Sequence, residues 1–361
     1  MLFRSEKLAQ WECGSEVPSI SKLEHLAEAY HRPLAVFLLA EPPKEDPSPP
    51  DLRVVRERPS ETPFSEKTLL AIRRARQVQQ VASELLPDGP PDTLARLQRE
   101  TASLGPDEAA ASVAAEIGAY TYDPPRFATP YQAMSHWRAL LEVLRIVVLQ
   151  FRMPVEDARG FTLSGPKLPV LVVNQSDVPK ARNFTLFHEV GHLLRRSEGV
   201  CDLGGESMAK RPTPVEAWCN AFSGSFLVPG ANLLAELHPW PSGENPPAVE
   251  IRRLSGRYQV SETVILRRLL TTGVISQSQY RALAELRQGP RIGEPSGERF
   301  EMKRNIPVER VSQYGAAFVD MVLRGVYDGR LSLSDVSDIL DVRLKHIPSL
   351  SNRAAATLAR A

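Results

Sequence analysis

Apolar residues recur at helical spacing over most of the chain. From Ser65 to Leu86, the residues Leu69, Ile72, Val78, Ala82 and Leu85 mark one face, and Ser65 stands where an N-cap belongs. Residues 107–118, "DEAAASVAAEIG", predict a short helix with acids in its first turn and Gly118 at its end. "YQAMSHWRALLEVLR" predicts another helix, which runs into the β-branched strand pattern "IVVLQF" (146–151). "RGFTL" and "KLPVLVVN" flank "SGP" and predict two further short strands. Residues 178–195 predict one helix, with Asp177 near the cap and Pro179 in the first turn. Residues 214–229 predict a helix stopped at Pro229. Residues 261–273 predict one capped by Ser261 and ended by Gly273, and "SQSQYRALAELR" repeats the pattern. Near the C-terminus "SLSDVSDILDVRLKHIPSL" reads helix, turn, helix. Helices, a few strands, then more helices is the order of an α+β protein: a mostly helical core with a small β-sheet.

Proline and glycine punctuate this pattern. Residues 1–40 look helical, and residues 41–63 carry seven prolines, which strip donors from the chain and stiffen it into a linker. A second linker is expected at 288–298, "QGPRIGEPSGE". The expected organisation is therefore an N-terminal piece (1–40), a main domain (64–287) and a C-terminal helical segment (299–361). No period of the solenoid kind is present.

Composition narrows the class. A length of 361 residues allows two or three domains, and the net charge of +1 gives no global pull towards nucleic acid or an anionic membrane. The cysteines Cys13, Cys201 and Cys219 are odd in number and form no CxxC pair, which suits a reducing compartment. "LAVFLLA" (34–40) is too short to span a membrane, and the N-terminus lacks the pattern of a secretory signal. A soluble cytoplasmic protein is expected, with no membrane partner.

The strongest chemical signal is "NFTLFHEVGHLLRR" (183–196). On a helix, His188 and His192 lie one turn apart on one face, so two imidazole nitrogens can converge on one Zn²⁺. Glu189 follows the first histidine and points to one side of the pair, where it can act as a base on a water without displacing it. That is the HExxH arrangement of zinc peptidases. Gly191 keeps the helix slim where a neighbour comes close. A catalytic zinc needs a third protein ligand and an open fourth position. Glu216, 24 residues after His192, is the best candidate, and Asn220 one turn on could orient a ligand. Asp202 and Glu206 compete as oxygens. Cys201 and Cys219 compete as thiolates in a structural Cys₂His₂ site, which would leave Glu189 without a purpose.

"RNFTLFHEVGHLL", "EAWCNAFSGSFLVP" and "YQVSETVILRRLLTTGVI" resemble, in that order, the core of the ImmA/IrrE-type metallopeptidases, over roughly residues 50–285. The resemblance implies a zincin-like fold. It also implies His188, His192 and Glu216 as Zn²⁺ ligands, and Glu189 as general base. Two departures are Cys219, where the pattern has alanine, and "FSGSF", where it is richer in alanine. Tyr258 and His238 are weaker candidates for a proton donor or oxyanion stabiliser. Arg182 reads as a paired or solvated charge.

"LAQWECGSEVPSISKLEHLAEAYHRPLAVFLL" resembles the second half of an XRE-type helix-turn-helix domain, through Trp11, Glu12, Gly14 and Pro18, then Leu23, Leu26 and Ala27, then Val36 to Leu39. The first two helices of such a domain would precede residue 1. Residues 1–46 carry five basic and eight acidic residues. Since phosphate contacts supply most non-specific DNA affinity, DNA binding is not expected of this piece as it stands. It reads as a truncated domain or a docking remnant. Residues 299–361 hold ten basic and seven acidic residues, an excess that suits a protein-packing surface. The family implies cleavage of a protein substrate, a helix-turn-helix repressor, and so a role in transcription regulation or stress response. The competing expectation is an XRE-type DNA-binding regulator or antitoxin-like protein whose peptidase-like domain senses rather than cuts. The oligomeric state is not legible.

Overall fold

The structure is a computed structural model, and it describes residues 5–30, 34–41, 64–86, 93–120, 123–165, 168–196, 200–201, 213–241, 243–286 and 305–359. The linker expected at 288–298, all but Glu41 of the one expected at 41–63, and Asp202 and Glu206 lie outside the described residues. The chain divides into two compact units, 1–48 and 49–361. Among the described residues, no helix is long and apolar enough to cross a membrane.

The first unit holds α1 (Ser5–Glu12), α2 (Ile20–Tyr30) and a 3₁₀ turn at Leu34–Leu38. Gly14 turns the chain between the helices at φ +73°, a conformation that costs glycine little. Lys7 pairs with Glu16, and the Lys22 ammonium lies 5.4 Å from the Trp11 ring centre. Leu26 and Ala27 are buried, while Val17 and Ile20 stay exposed.

The second unit is organised around a four-stranded sheet. Its strands are β1 (Val147–Phe151), β2 (Gly160–Leu163), β3 (Val170–Asn174) and β4 (Val200–Cys201), in the order β1-β3-β2-β4. β1 runs parallel to β3, whereas β2 is antiparallel to both β3 and β4. The three longer strands fall on the predicted segments. The two-residue β4 is an addition.

The sheet divides two cores, and the two-residue period of the strands sorts side chains between them. Along β3, Leu171 and Val173 enter one core and Val170 and Val172 the other. All five β3 residues are buried, as a strand covered on both faces must be. The first core holds α4 (Thr93–Thr101), α5 (Pro106–Glu116), α6 (Pro130–Leu141), α7 (Pro179–Leu194), α8 (Pro214–Leu227), α9 (Gly230–Glu236), α10 (Ala248–Tyr258), α11 (Glu262–Thr271) and α12 (Gln277–Glu285). The second holds α3 (Glu66–Leu85) together with α13 (Ile306–Tyr314), α14 (Ala316–Tyr327), α15 (Leu333–Leu340) and α16 (Ile347–Leu358). The C-terminal helices thus share one core with α3 and the sheet.

The helix boundaries follow from capping. Ser65 accepts from Thr68 N, Ser261 from Val264 N and Thr213 from Glu216 N, each satisfying an orphan donor of a first turn. Asp177 stands one residue before the cap of α7, near it as predicted. Val178 is the N-cap of α7, and the Asp177 carboxylate pairs with Arg159 at 3.0 Å while accepting from Val178 N at 2.8 Å. Buried Asp157 accepts from Ser65 N, Ser65 Oγ and Thr68 Oγ1, tying the start of α3 to the loop after β1.

Candidate metal centre

Two helices, α7 and α8, build the site. Pro179 opens α7, where its missing N–H costs nothing. From Thr185 to Leu194 every residue of this helix is buried, including the polar stripe Thr185, His188, Glu189 and His192. α8 crosses it closely. A Cβ on Gly191 would stand 3.1 Å from Cys219 Sγ and 3.2 Å from Cys219 Cα, so glycine is what lets the two helices meet there. Ser223 Oγ donates to Phe184 O at 2.8 Å, and the Phe187 and Phe226 rings stack 3.8 Å apart, so the pair is clasped further along. Trp137 packs edge-on against both rings.

Within this frame three side chains turn to one point. His188 Nε2 lies 3.0 Å from His192 Nε2, His188 Nε2 lies 3.3 Å from Glu216 Oε2, and His192 Nε2 lies 3.3 Å from Glu216 Oε1. Glu216 is the third residue of α8, so the capped first turn carries its carboxylate to the histidines. Both imidazoles are buried, while the Glu216 side chain is 27% exposed, so solvent reaches the cluster from that side. Zinc bonds of about 2.0–2.1 Å in a tetrahedron imply ligand-to-ligand edges of roughly 3.3 Å. The observed triangle has that size, and two imidazoles plus a carboxylate are a zinc-type donor set, so the residues fit the ion. Among the described residues these three form the only group of His, Cys, Asp and Glu gathered closely enough to hold a metal.

The surroundings sharpen the picture. His188 Nδ1 lies 2.9 Å from Asn220 Oδ1. An amide oxygen can only accept, so Nδ1 carries the proton and Nε2 keeps its lone pair for the centre. Burial works against a charge on His192, yet hydrogen bonds to Cys219 and Glu216 push it up to about 11. Burial likewise opposes the Glu216 carboxylate, but hydrogen bonds from both histidines hold it well below the usual carboxylate range. Burial pushes the Cys219 thiol up.

Glu189 is fully buried. Burial raises its carboxyl above the ordinary range, and the nearby His192 and His188 pull it back down. Thr162 Oγ1 donates to Glu189 Oε2 at 2.6 Å. Thr162 was not singled out by sequence reasoning. Its signal was the alternation in "GFTL", where Phe161 and Leu163 take one face and leave Gly160 and Thr162 on the other.

The remaining candidates fall elsewhere. Cys219 lies against Gly191 and bonds His192 without joining the triangle. Cys201 belongs to β4 by its backbone, and its side chain is outside the described set. His238 pairs with Glu250 at 3.2 Å. Tyr258 is buried at the end of α10, its ring 5.0 Å from the Arg257 guanidinium. Arg182 donates to Asp177 O at 2.8 Å and lies 5.8 Å from the Tyr131 ring centre, a paired charge as expected.

Residues 141–270, from the end of α6 to α11, match the model of the peptidase M78 family, described as the IrrE N-terminal-like domain. That region is similar to a metallopeptidase domain, and it contains both histidines, Glu189 and Glu216. No curated protein matches the chain.

Proposed function

We propose that this chain is a zinc-dependent endopeptidase that hydrolyses a peptide bond in a protein substrate. The observation that carries the reading is the triangle of His188 Nε2, His192 Nε2 and the Glu216 carboxylate, 3.0–3.3 Å on its edges, with the Glu189 carboxylate in electrostatic reach of all three. When bound, zinc supplies a Lewis acid that polarises a carbonyl and lowers the pKa of water towards about 7. His188, His192 and Glu216 would hold it, with Asn220 orienting His188. Glu189 takes the proton of the attacking water and returns it to the leaving amine, ending the cycle in the state in which it began. The partial exposure at Glu216 leaves a side on which a chain segment can approach.

For the substrate we infer a helix-turn-helix transcriptional repressor. Support comes from the resemblance of "RNFTLFHEVGHLL", "EAWCNAFSGSFLVP" and "YQVSETVILRRLLTTGVI" to the ImmA/IrrE-type metallopeptidases. On this reading the protein acts in the cytoplasm, on the regulation of gene expression. Tyr258 is already packed under Arg257 and His238 is engaged by Glu250, so neither is assigned as proton donor.

The test has two arms. Metal analysis of the purified chain should give one zinc per protein, lost in Glu216→Ala and His188→Ala and kept in Glu189→Gln. Incubation with helix-turn-helix repressors encoded beside it should give one discrete cut, slowed by about 10²–10⁴-fold in Glu189→Gln. Full activity in Glu189→Gln, or a wild type that binds no metal, would overturn the proposal.

A further inference from the structure

Thr162 and Glu189 meet where β2 packs on α7, and Glu189 follows the candidate ligand His188 on that helix. The period of the strand sends Phe161 and Leu163 into the core beneath the sheet and leaves Gly160 and Thr162 on the α7 side. Both partners of the 2.6 Å bond are buried, at 2% and 0% exposure. The other Glu189 oxygen, Oε1, has no hydrogen-bond partner among the described residues. A Cβ on Gly160 would stand 3.2 Å from that oxygen and 2.6 Å from Thr185 Cγ2. The bare backbone at 160 therefore keeps space beside the free oxygen.

A glutamate side chain turns about three bonds, and a base that wanders by 1 Å loses much of its rate. A carboxylate at 0% exposure needs an anchor. A lysine or arginine would anchor it but would also make it a poorer base. A hydroxyl donates one hydrogen bond and adds no charge. Resting on the endopeptidase reading above, we propose that Thr162 is the positioning residue of Glu189. It holds Oε2 against β2 and leaves Oε1 as the oxygen that takes the proton from the attacking water and passes it to the leaving amine. Among the described residues, Thr162 supplies the hydrogen bond that the Glu189 carboxylate accepts, and Oε1 accepts none. The sheet's rigidity, with β2 paired on both sides at Gly160 and Phe161, is transmitted to the base through this one bond.

The test compares Thr162→Val, which keeps the shape and removes the hydroxyl, with Thr162→Ser, which keeps the hydroxyl and removes the methyl. Glu189→Gln is the control, and every variant is the full chain loaded with zinc. In crystal structures, the Glu189 carboxylate should leave its wild-type position in Thr162→Val and keep it in Thr162→Ser. Cleavage of a random-sequence peptide library, read by mass spectrometry, should fall about 10–100-fold in Thr162→Val at unchanged zinc content, and recover in Thr162→Ser. An unmoved carboxylate in Thr162→Val, or a serine variant as slow as the valine one, overturns the assignment. If Glu189→Gln cuts as fast as wild type, or wild type cuts nothing, it is the endopeptidase reading that fails. The crystallographic comparison still decides whether Thr162 sets the carboxylate.

Discussion

Asn220 Oδ1 lies 2.9 Å from His188 Nδ1, one helical turn beyond Glu216 on α8. The same helix therefore supplies a ligand and the group that orients another ligand. Replacing Asn220 by Leu removes the acceptor and leaves a buried N–H unpaired. The expected result is a 10–100-fold loss of zinc affinity, the usual cost of losing such a partner, with the fold retained. Competition with a chelator of known affinity measures it. Unchanged affinity would show that α7 packing alone sets the ring.

Gly191 and Cys219 make a second contact between the same helices, and here two physical effects oppose each other. Alanine is the better helix former by about 0.8–1 kcal/mol. Its Cβ, however, would press within 3.2 Å of Cys219 Sγ, Cβ and backbone Cα, and overpacking costs about 1–3 kcal/mol. Since a backbone atom is among those pressed, a side-chain rotation cannot relieve the contact. Gly191→Ala should be destabilised by about 1 kcal/mol in urea unfolding and should bind zinc more weakly, because the shift pries apart the helices that carry the ligands. A variant stabilised by the full helix propensity would refute the close-packing account.

Local signals were legible in the sequence and relational ones were not. The pair His188 and His192, the cap residues Ser65 and Ser261, and the alternation of Phe161 and Leu163 depend on neighbours within a few positions, so the chain displays them. The order β1-β3-β2-β4 is set by pairing across long separations, which no period records. A two-residue strand such as β4 is too short to show any period. α10 carries Ile251, Leu254 and Tyr258 at helical spacing, a signal the sequence analysis did not use. Asp177 lies near the cap of α7 as its chemistry suggests, and its second role, the pair with Arg159 at 3.0 Å, joins residues too far apart in sequence for a local pattern to show. Glu216 stood out by spacing among several acids. What selects it is the Thr213 cap and its place in the first turn of α8, a feature of the folded helix.

Glu250 predicts a pH dependence. It is buried, and the Arg253 guanidinium donates to both of its oxygens, at 2.8 and 2.7 Å, while His238 N donates at 3.0 Å. The hydrogen bonds from Arg253 hold its carboxyl below the ordinary value of 4.5 against the opposing effect of burial. A depressed folded pKa stabilises the protein above the unfolded value, so the contribution is complete above about pH 4.5 and is lost as pH falls through the lowered value. Glu250→Gln should cost about 1.5–3 kcal/mol at neutral pH, the range for a hydrogen bond to a charged group. The gap between mutant and wild type should close as the pH falls well below 4. Urea midpoints measured across that range check it, and a gap independent of pH would contradict the assignment.

The C-terminal helices set the last expectation. Tyr314, Phe318, Val319, Val322, Val336, Leu340 and Leu350 are buried against α3 and the sheet face formed by Leu149, Phe161, Val170 and Val172. At about 1.5–3 kcal/mol per buried large side chain, these seven contribute on the order of 10 kcal/mol before chain entropy is charged. That is comparable with the whole stability of an ordinary domain. Arg138 adds a polar tie, donating to Ser312 O at 2.6 Å on one side and to Val148 O on the other. A chain ending at residue 286 keeps every candidate ligand, yet it should expose one face of the sheet, aggregate and lose cooperative melting. A chain beginning at residue 49 should melt as the full protein does and bind one zinc, because its removed residues form a separate unit. Scanning calorimetry and metal analysis of both truncations decide the matter. A soluble, cooperatively melting 1–286 fragment with full zinc content would mean that the sheet does not need its second cover.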